Sequence, residues 1–268
     1  MDFKSFFGFK KEMHSKSEED LDEILKKAAN DPAFRPEFYK RFLDFDLYVV
    51  GDAVGDHKEE KDGTIIAGDS TSLRINRFSI GGKEKILVFS SLKRLQNCIK
   101  GKVNYLQLNG RELLNGVLGD TNVVLNAGAE YGKEFSPAEI REILDGSIFR
   151  KATEQIFKAG QAVQLGQPAE PPVKLLNALI SYFESKGWVD KAYIAEIIVH
   201  GENETAHPVI GLEFSNAGKN MVKELMADIG VIIKETCPPD EVIDITEVRR
   251  DHTVGKYMIN HVKPFYVK

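Results

Sequence analysis

The chain has 268 residues but only two cysteines, Cys98 and Cys237, and one tryptophan. Two thiols so distant in sequence, outside any C-x-x-C spacing, make neither a disulfide framework nor a zinc site by themselves. Reduced thiols in a folded chain suit a reducing compartment. Basic excess is also absent. Lys and Arg number 36 against 41 Asp and Glu, a formal net charge of −5. A phosphate-tracking surface needs a basic balance or a dense basic stripe, so general nucleic-acid binding is not expected. No run approaches the roughly 18–20 apolar residues of a membrane span. The best candidate, 192–199, is interrupted by Glu196. Phe3, Phe6, Phe7 and Phe9 crowd the N-terminus, but Lys4 breaks any secretory core. These absences together read as a cytoplasmic protein without a nucleic-acid or membrane partner.

What is present is the mixture of a globular protein: 42% hydrophobic and 29% charged residues, too apolar and too nearly neutral for disorder. Residues 1–16 read as a flexible N-terminal arm, its phenylalanines either a small interaction patch or a flap on the body. Ser17 is placed to cap a helix carrying Leu21, Ile24, Leu25 and Ala28 at helical spacing, which Asn30-Asp31-Pro32 ends. A second helix over 36–44 buries Phe38 and Phe42. The period then shortens. Stretches 47–50, 64–67, 73–80 and 85–89 read as strands between Gly/Asp turns. Ser90 or Ser91 caps a short helix closed by Lys100-Gly101, and a strand over 103–108, a helix around 111–118 and a strand over 122–125 follow. Ser136-Pro137-Ala138-Glu139 is the clearest helix start, with Ser at the cap, Pro at the first position and Glu at the third.

Asp145-Gly146 stops that helix, and 147–172 reads as irregular. The expected organisation is therefore a domain over 17–146, a linker over 147–160 and a second domain over 161–268. The second half reads as a helix bearing Leu175, Leu176, Leu179, Ile180 and Phe183, strands around 193–199 and 208–214, a helix capped by Ser215 or Asn216, and a strand over 242–248. Irregular alternation with adjacent strands in each half predicts α+β: two mixed α/β domains, each a small sheet with flanking helices.

Familiar catalytic spacings fail on inspection. Ser90-Ser91-Leu92-Lys93 fits S-x-x-K, but its companion motifs are missing and a helix cap explains it. The 128–134 stretch lacks the spacing and hydroxyl residue of a phosphate loop and reads as a connecting turn. Six scattered histidines make no H-E-x-x-H, and Asp52, Asp56, Asp62 and Asp69 make no calcium loop. The acidic stretch 240–251 reads as a solvated strand face. No catalytic residue, metal ligand or cofactor is expected.

Several phrases, in order, resemble the SseB family. In the first half they are Phe38-Tyr39-Lys40-Arg41-Phe42-Leu43, Phe89-Ser90-Ser91-Leu92, Tyr105-Leu106-Gln107-Leu108-Asn109-Gly110-Arg111 and Val123-Val124-Leu125-Asn126-Ala127-Gly128. In the second they are Leu165-Gly166-Gln167-Pro168, residues 172–179, Ala192-Tyr193 and Pro264-Phe265-Tyr266. The resemblance implies a bacterial protein of N-terminal and C-terminal SseB domains, named for enhanced serine sensitivity, with no reaction or catalytic residues to carry over. The alanine after Asn126 departs from the proline that pattern leads one to expect.

The favoured reading is a non-catalytic binding or regulatory module acting through an unidentified protein or small molecule. An enzyme whose site assembles only in the fold, or an immunity-like or secretion-associated interaction protein, stays open. The sequence sets no oligomeric state. Candidate binding residues are Asn126, Gly128, Gly166 and Gln167. The glycines permit close backbone approach and the amides offer donors and acceptors, and the two turns are expected to face an interdomain cleft. The same four residues also suit ordinary turns.

Overall fold

The computed structural model describes residues 18–59, 65–149, 163–199, 205–239 and 241–268. Its packing divides the chain into two units. One holds Glu37–Asp145 with the described residues up to Ala29; the other holds Asn30–Pro36 with the described residues from Gly146 onward.

In the first unit α1 (Glu18–Asn30) buries Leu21, Ile24, Leu25 and Ala28, the apolar stripe that 3.6-residue periodicity produces. The Ser17 cap and the 1–16 arm lie outside the described residues. Asp31 then accepts the Ala33 N–H at 2.9 Å and opens a 3-10 turn, Pro32–Phe34. Helix α2 (Arg35–Asp44) buries Phe38, Tyr39, Phe42 and Leu43.

Among the described residues the strands that follow are β1 (Asp46–Val54), β2 (His57–Glu59), β3 (Ile65–Ala67), β4 (Ser72–Ile75), β5 (Phe78–Ile80) and β6 (Lys83–Phe89). Next come α3 (Leu92–Cys98), β7 (Tyr105–Asn109), α4 (Gly110–Gly116), β8 (Asn122–Leu125), β9 (Lys133–Phe135) and α5 (Pro137–Asp145). Strand β1 pairs antiparallel with β7, β4 and β6; β6 runs parallel to β8, and β8 antiparallel to β9. The sheet is therefore mixed. One face carries Val50, Leu87 and Phe89 under Leu95 of α3. Phe42 of α2 stacks on Phe135 of β9 with centroids 4.7 Å apart.

Two expectations change. Residues 73–80 are not one strand. β4 pairs with β1 and β5 with β6, and the Asn76 N–H donates to the Val50 carbonyl at 2.9 Å where the chain changes partner. Likewise, the turn expected over 128–134 gives way to β9 at Lys133.

The second unit contains a 3-10 turn, Ser147–Phe149, then β10 (Val163–Gly166), α6 (Val173–Lys186), β11 (Val189–Val199) and β12 (His207–Phe214). A 3-10 turn at Gly218–Asn220, α7 (Val222–Thr236), β13 (Asp244–Glu247), α8 (Thr253–His261) and β14 (Tyr266–Val267) complete it. Strand β10 lies inside the stretch expected to be irregular, held by pairing with β11. Strand β11 also pairs with β12 and β14, and β12 runs parallel to β13.

This sheet is covered on both faces, so β11 and β12 read apolar rather than cleanly alternating. Ala192, Ile210, Leu212 and Ile245 pack with Leu179 and Phe183 of α6 and Leu225 and Ile229 of α7. Ala195, Ile197, Val199 and Val209 pack with Val254 and Met258 of α8. Gly187 caps α6 in the left-handed region, φ 64°, where glycine carries no steric cost. Each unit is thus a mixed sheet with flanking helices, an α+β fold. Among the described residues, no helix is long and apolar enough to cross a membrane.

Close packing fixes the start of α4. The Gly110 N–H donates to the Phe45 carbonyl at 2.8 Å, and a Cβ at Gly110 would lie 2.0 Å from the Phe42 carbonyl oxygen. Gly116, at the other end of the helix, would meet nothing within 4 Å. Gly110→Ala is expected to destabilise the protein by about 1–3 kcal/mol through overpacking. Gly116→Ala should be neutral or stabilise it by a few tenths to about 1 kcal/mol. Thermal melts of the two variants check this; equal melting temperatures would refute it.

Candidate functional site

The parallel strands β6 and β8 end side by side, and the residue after each turns inward. These are Ser90 and Asn126, 0% and 1% exposed. Asn126 takes φ 54°, a left-handed conformation that asparagine tolerates better than most residues. Its N–H donates to the Val88 carbonyl at 2.8 Å, and its own carbonyl accepts the Ala129 N–H at 3.1 Å. The side chain is equally engaged. Oδ1 accepts the Ser90 N–H at 3.0 Å and lies 3.2 Å from the Ser90 hydroxyl; Nδ2 donates to Asp22 Oδ1 at 3.0 Å.

Asp22 of α1 gathers the cluster. Its Oδ1 also accepts the Ser90 hydroxyl at 2.7 Å, while Oδ2 accepts Arg94 Nε of α3 at 2.6 Å and Arg94 Nη2 at 2.5 Å. Charge-assisted bonds of this kind are the stronger class. Ser91, next in sequence, accepts the Arg94 N–H at 3.3 Å and caps α3. The Ser90 hydroxyl is thus bonded to a carboxylate and an amide, whereas Lys93 is exposed; no serine–lysine pair exists here.

Beyond this brace the turn opens. Gly128 is exposed at φ 77°, with nothing within 4 Å of where a Cβ would sit. In the second unit Gly166 ends β10 opposite Glu196 and likewise faces open space. Gln167 is exposed, and its Nε2 donates to the His261 carbonyl at 3.3 Å, tying the turn to the end of α8. Asn126 and Gly128 thus belong to the first unit, Gly166 and Gln167 to the second.

One polar pair escaped the sequence reading. His207 Nε2 lies 2.8 Å from Asp244 Oδ2, and its Nδ1 lies 3.0 Å from the Thr205 carbonyl. Asp244 is buried at 3% exposure, so this part of the 240–251 stretch is not a solvated face: Ile243 and Ile245 carry it inside. A carboxylate and a carbonyl both accept, so both ring nitrogens must donate. Burial alone lowers the His207 pKa, but the Thr205 hydrogen bond and the bond and charge of Asp244 together outweigh it and raise the value. With both nitrogens occupied, His207 is poorly placed as a general base.

Two other perturbed groups, Tyr193 and Cys237, instead favour their uncharged forms. Burial, then the hydrogen bond to Glu213 at 2.6 Å, pushes the Tyr193 phenol up to about 12. Burial raises the Cys237 thiol, away from the thiolate a nucleophile needs. Among the described residues, no three His, Cys, Asp or Glu side chains gather as a metal set.

Comparison with known proteins matches both units. The family model described as SseB protein N-terminal domain matches residues 21–142, and that described as SseB protein C-terminal domain matches 157–268. Protein SseB of Escherichia coli (strain K12) is 29% identical over 255 residues, covering 94% of this chain and 93% of that protein. Protein SseB of Shigella flexneri shows the same identity and coverage. No solved structure matches the chain.

Two measurements probe these polar groups. Asn126→Ala strands the Ser90 N–H and removes a residue suited to positive φ, so a loss of about 2–4 kcal/mol is expected in denaturant unfolding. A loss below about 0.5 kcal/mol, typical of a surface change, would show that the brace is not structural. For His207, a folded-state pKa above its ordinary 6.5 gives a contribution that is complete below the unfolded value and lost as pH rises through the folded one. The melting-temperature advantage of the parent over His207→Gln should therefore shrink from pH 5.5 to pH 9. A difference constant across that range would contradict the pairing.

Proposed function

The chain belongs to the SseB family, and on that premise we propose that it is a non-catalytic binding or regulatory module of the bacterial cytoplasm, linked to serine sensitivity, that acts through contact with another protein or a small molecule. The observation that carries this reading is the Asp22–Ser90–Asn126–Arg94 cluster. Its polar atoms are spent on one another, as in a support rather than a reaction centre. The support holds a strand-end turn whose Gly128 backbone is open to solvent. Rigid scaffolds presenting short loops are a usual arrangement for recognition.

The second unit offers a comparable turn in Gly166 and Gln167, steadied by His261. We assign contact to Gly128, Gly166 and Gln167, with Asn126 positioning the first turn. No cofactor enters this reading.

The test adds bulk where a partner's backbone or side chain would approach. Gly128→Asn retains tolerance of positive φ, and Gly166→Leu fills open space beside β11. Full-length tagged protein and both variants are recovered from the native cell, and co-purifying proteins and metabolites are identified by mass spectrometry. The expected result is loss of a partner in at least one variant with the melting temperature held within a few degrees. Unchanged recovery in both would refute contact at these turns.

A further inference from the structure

Glu196 interrupts the apolar run of β11 with a charge. It lies in β11, between β10 and β12, so its cross-strand neighbours are fixed by register: Gly166 on one side and Pro208 on the other. Directly opposed residues point to the same face of a sheet. Ala195 and Ile197 pack beneath α8, so Glu196 projects from the other face, the one on which Ala192 and Ile210 meet α6 and α7. Ile194 and Ile198 flank it along the strand, and Gln164 lies opposite Ile198.

The described residues cover this end of the face only in part. Ile194 is 8% exposed, while Glu196, Ile198, Gly166 and Pro208 are half-buried and Gln164 is exposed. Among the described residues, no hydrogen bond or ion pair engages the Glu196 carboxylate. Gln164, Gly166, Ile194, Ile198 and Pro208, its neighbours on this face, include no cation. Half-buried beside apolar groups, Glu196 offers a negative charge that a cation from outside can reach.

We propose that Glu196 anchors a docking surface for an arginine side chain of a partner protein. The inference rests on the binding role proposed above and names the chemistry recognised beside Gly166. A carboxylate accepts a guanidinium through two parallel N–H···O bonds. The side groups on either strand are absent at Gly166 and a flat ring at Pro208. They leave a low floor on which a planar, weakly hydrated guanidinium can lie, with its methylene stem against Ile194 and Ile198. An ammonium, compact and strongly hydrated, uses neither the fork geometry nor the floor. Gln164 adds an amide at the open rim.

The probe is the peptide acetyl-Gly-Arg-Gly-amide, titrated into the isotopically labelled full-length chain and followed by backbone amide resonances. Saturable shifts are expected at Gly166, Glu196 and Ile198 over the millimolar range. Glu196→Gln, which keeps the shape and removes the charge, should weaken binding about tenfold or more, and the lysine counterpart of the peptide should bind more weakly than the arginine one. Absence of saturable shifts at these amides, or equal binding to Glu196→Gln, overturns the proposal, as does a lysine peptide that binds as well. Partner recovery separates the two levels. If Gly166→Leu abolishes recovery and Glu196→Gln leaves it intact, the binding role stands and the arginine anchor falls. If both variants keep the partner, contact at the Gly166 turn falls as well.

Discussion

The Asp22 carboxylate connects segments that sequence keeps far apart. It receives Ser90 from the end of β6, Asn126 from the end of β8 and Arg94 from α3, while belonging itself to α1. Each donor would otherwise be a polar group at the margin of an apolar core, where an unmade hydrogen bond costs about 1–3 kcal/mol. Because Asn126 also holds the Ser90 amide, the ends of the parallel pair β6 and β8 are tied to each other and to two helices at once. Parallel strands lack a hairpin to set their relative position. Here a side-chain network does that work, and the exposed turn beyond Asn126 inherits its rigidity.

Where the deciding interaction is local, the sequence reveals the structure well. Ser136 accepts the Glu139 N–H at 3.2 Å, as the Ser-Pro-x-Glu phrase predicts, and α5 begins at Pro137. The apolar stripes of α1, α2 and α6 are equally legible. What was hidden depends on distant partners. Residues 73–80 look like one strand because the alternation is continuous; the break comes from switching between β1 and β6. Helix α8 was obscured by Gly255, a residue that weakens any helical pattern. It is there because a Cβ would lie 2.2 Å from the Arg249 carbonyl oxygen.

The candidate site divides along the same line. The turn at Asn126 stands out in the sequence for an amide that can donate and accept and for the glycine two residues on. That its side chain faces inward, to Ser90 and Asp22, is not legible there, since one partner lies 104 residues away. Asp244 was missed for a related reason. Charge density along 240–251 suggests a wet surface, whereas burial is decided by Ile243 and Ile245 on either side of Asp244 and by a histidine from β12. Glu196 shows the converse. It was legible only as an interruption in an apolar run, and its setting between a glycine and a proline emerges from strand register alone.

The 3-10 turn at Pro32–Phe34 carries a consequence for how the chain acquires its structure. It connects two helices of the first unit, yet Ala33 is buried with Leu175, Leu179 and Ile229 of the second. During synthesis Ala33 and Phe34 leave the ribosome long before α6 and α7, so their apolar surface waits in water until those helices arrive. The connection between α1 and α2 therefore sets late, however early the helices themselves form. Ordering along the chain is not ordering in time. Such long-range closure slows folding relative to local contacts and links completion of the early-made half to emergence of the late-made one.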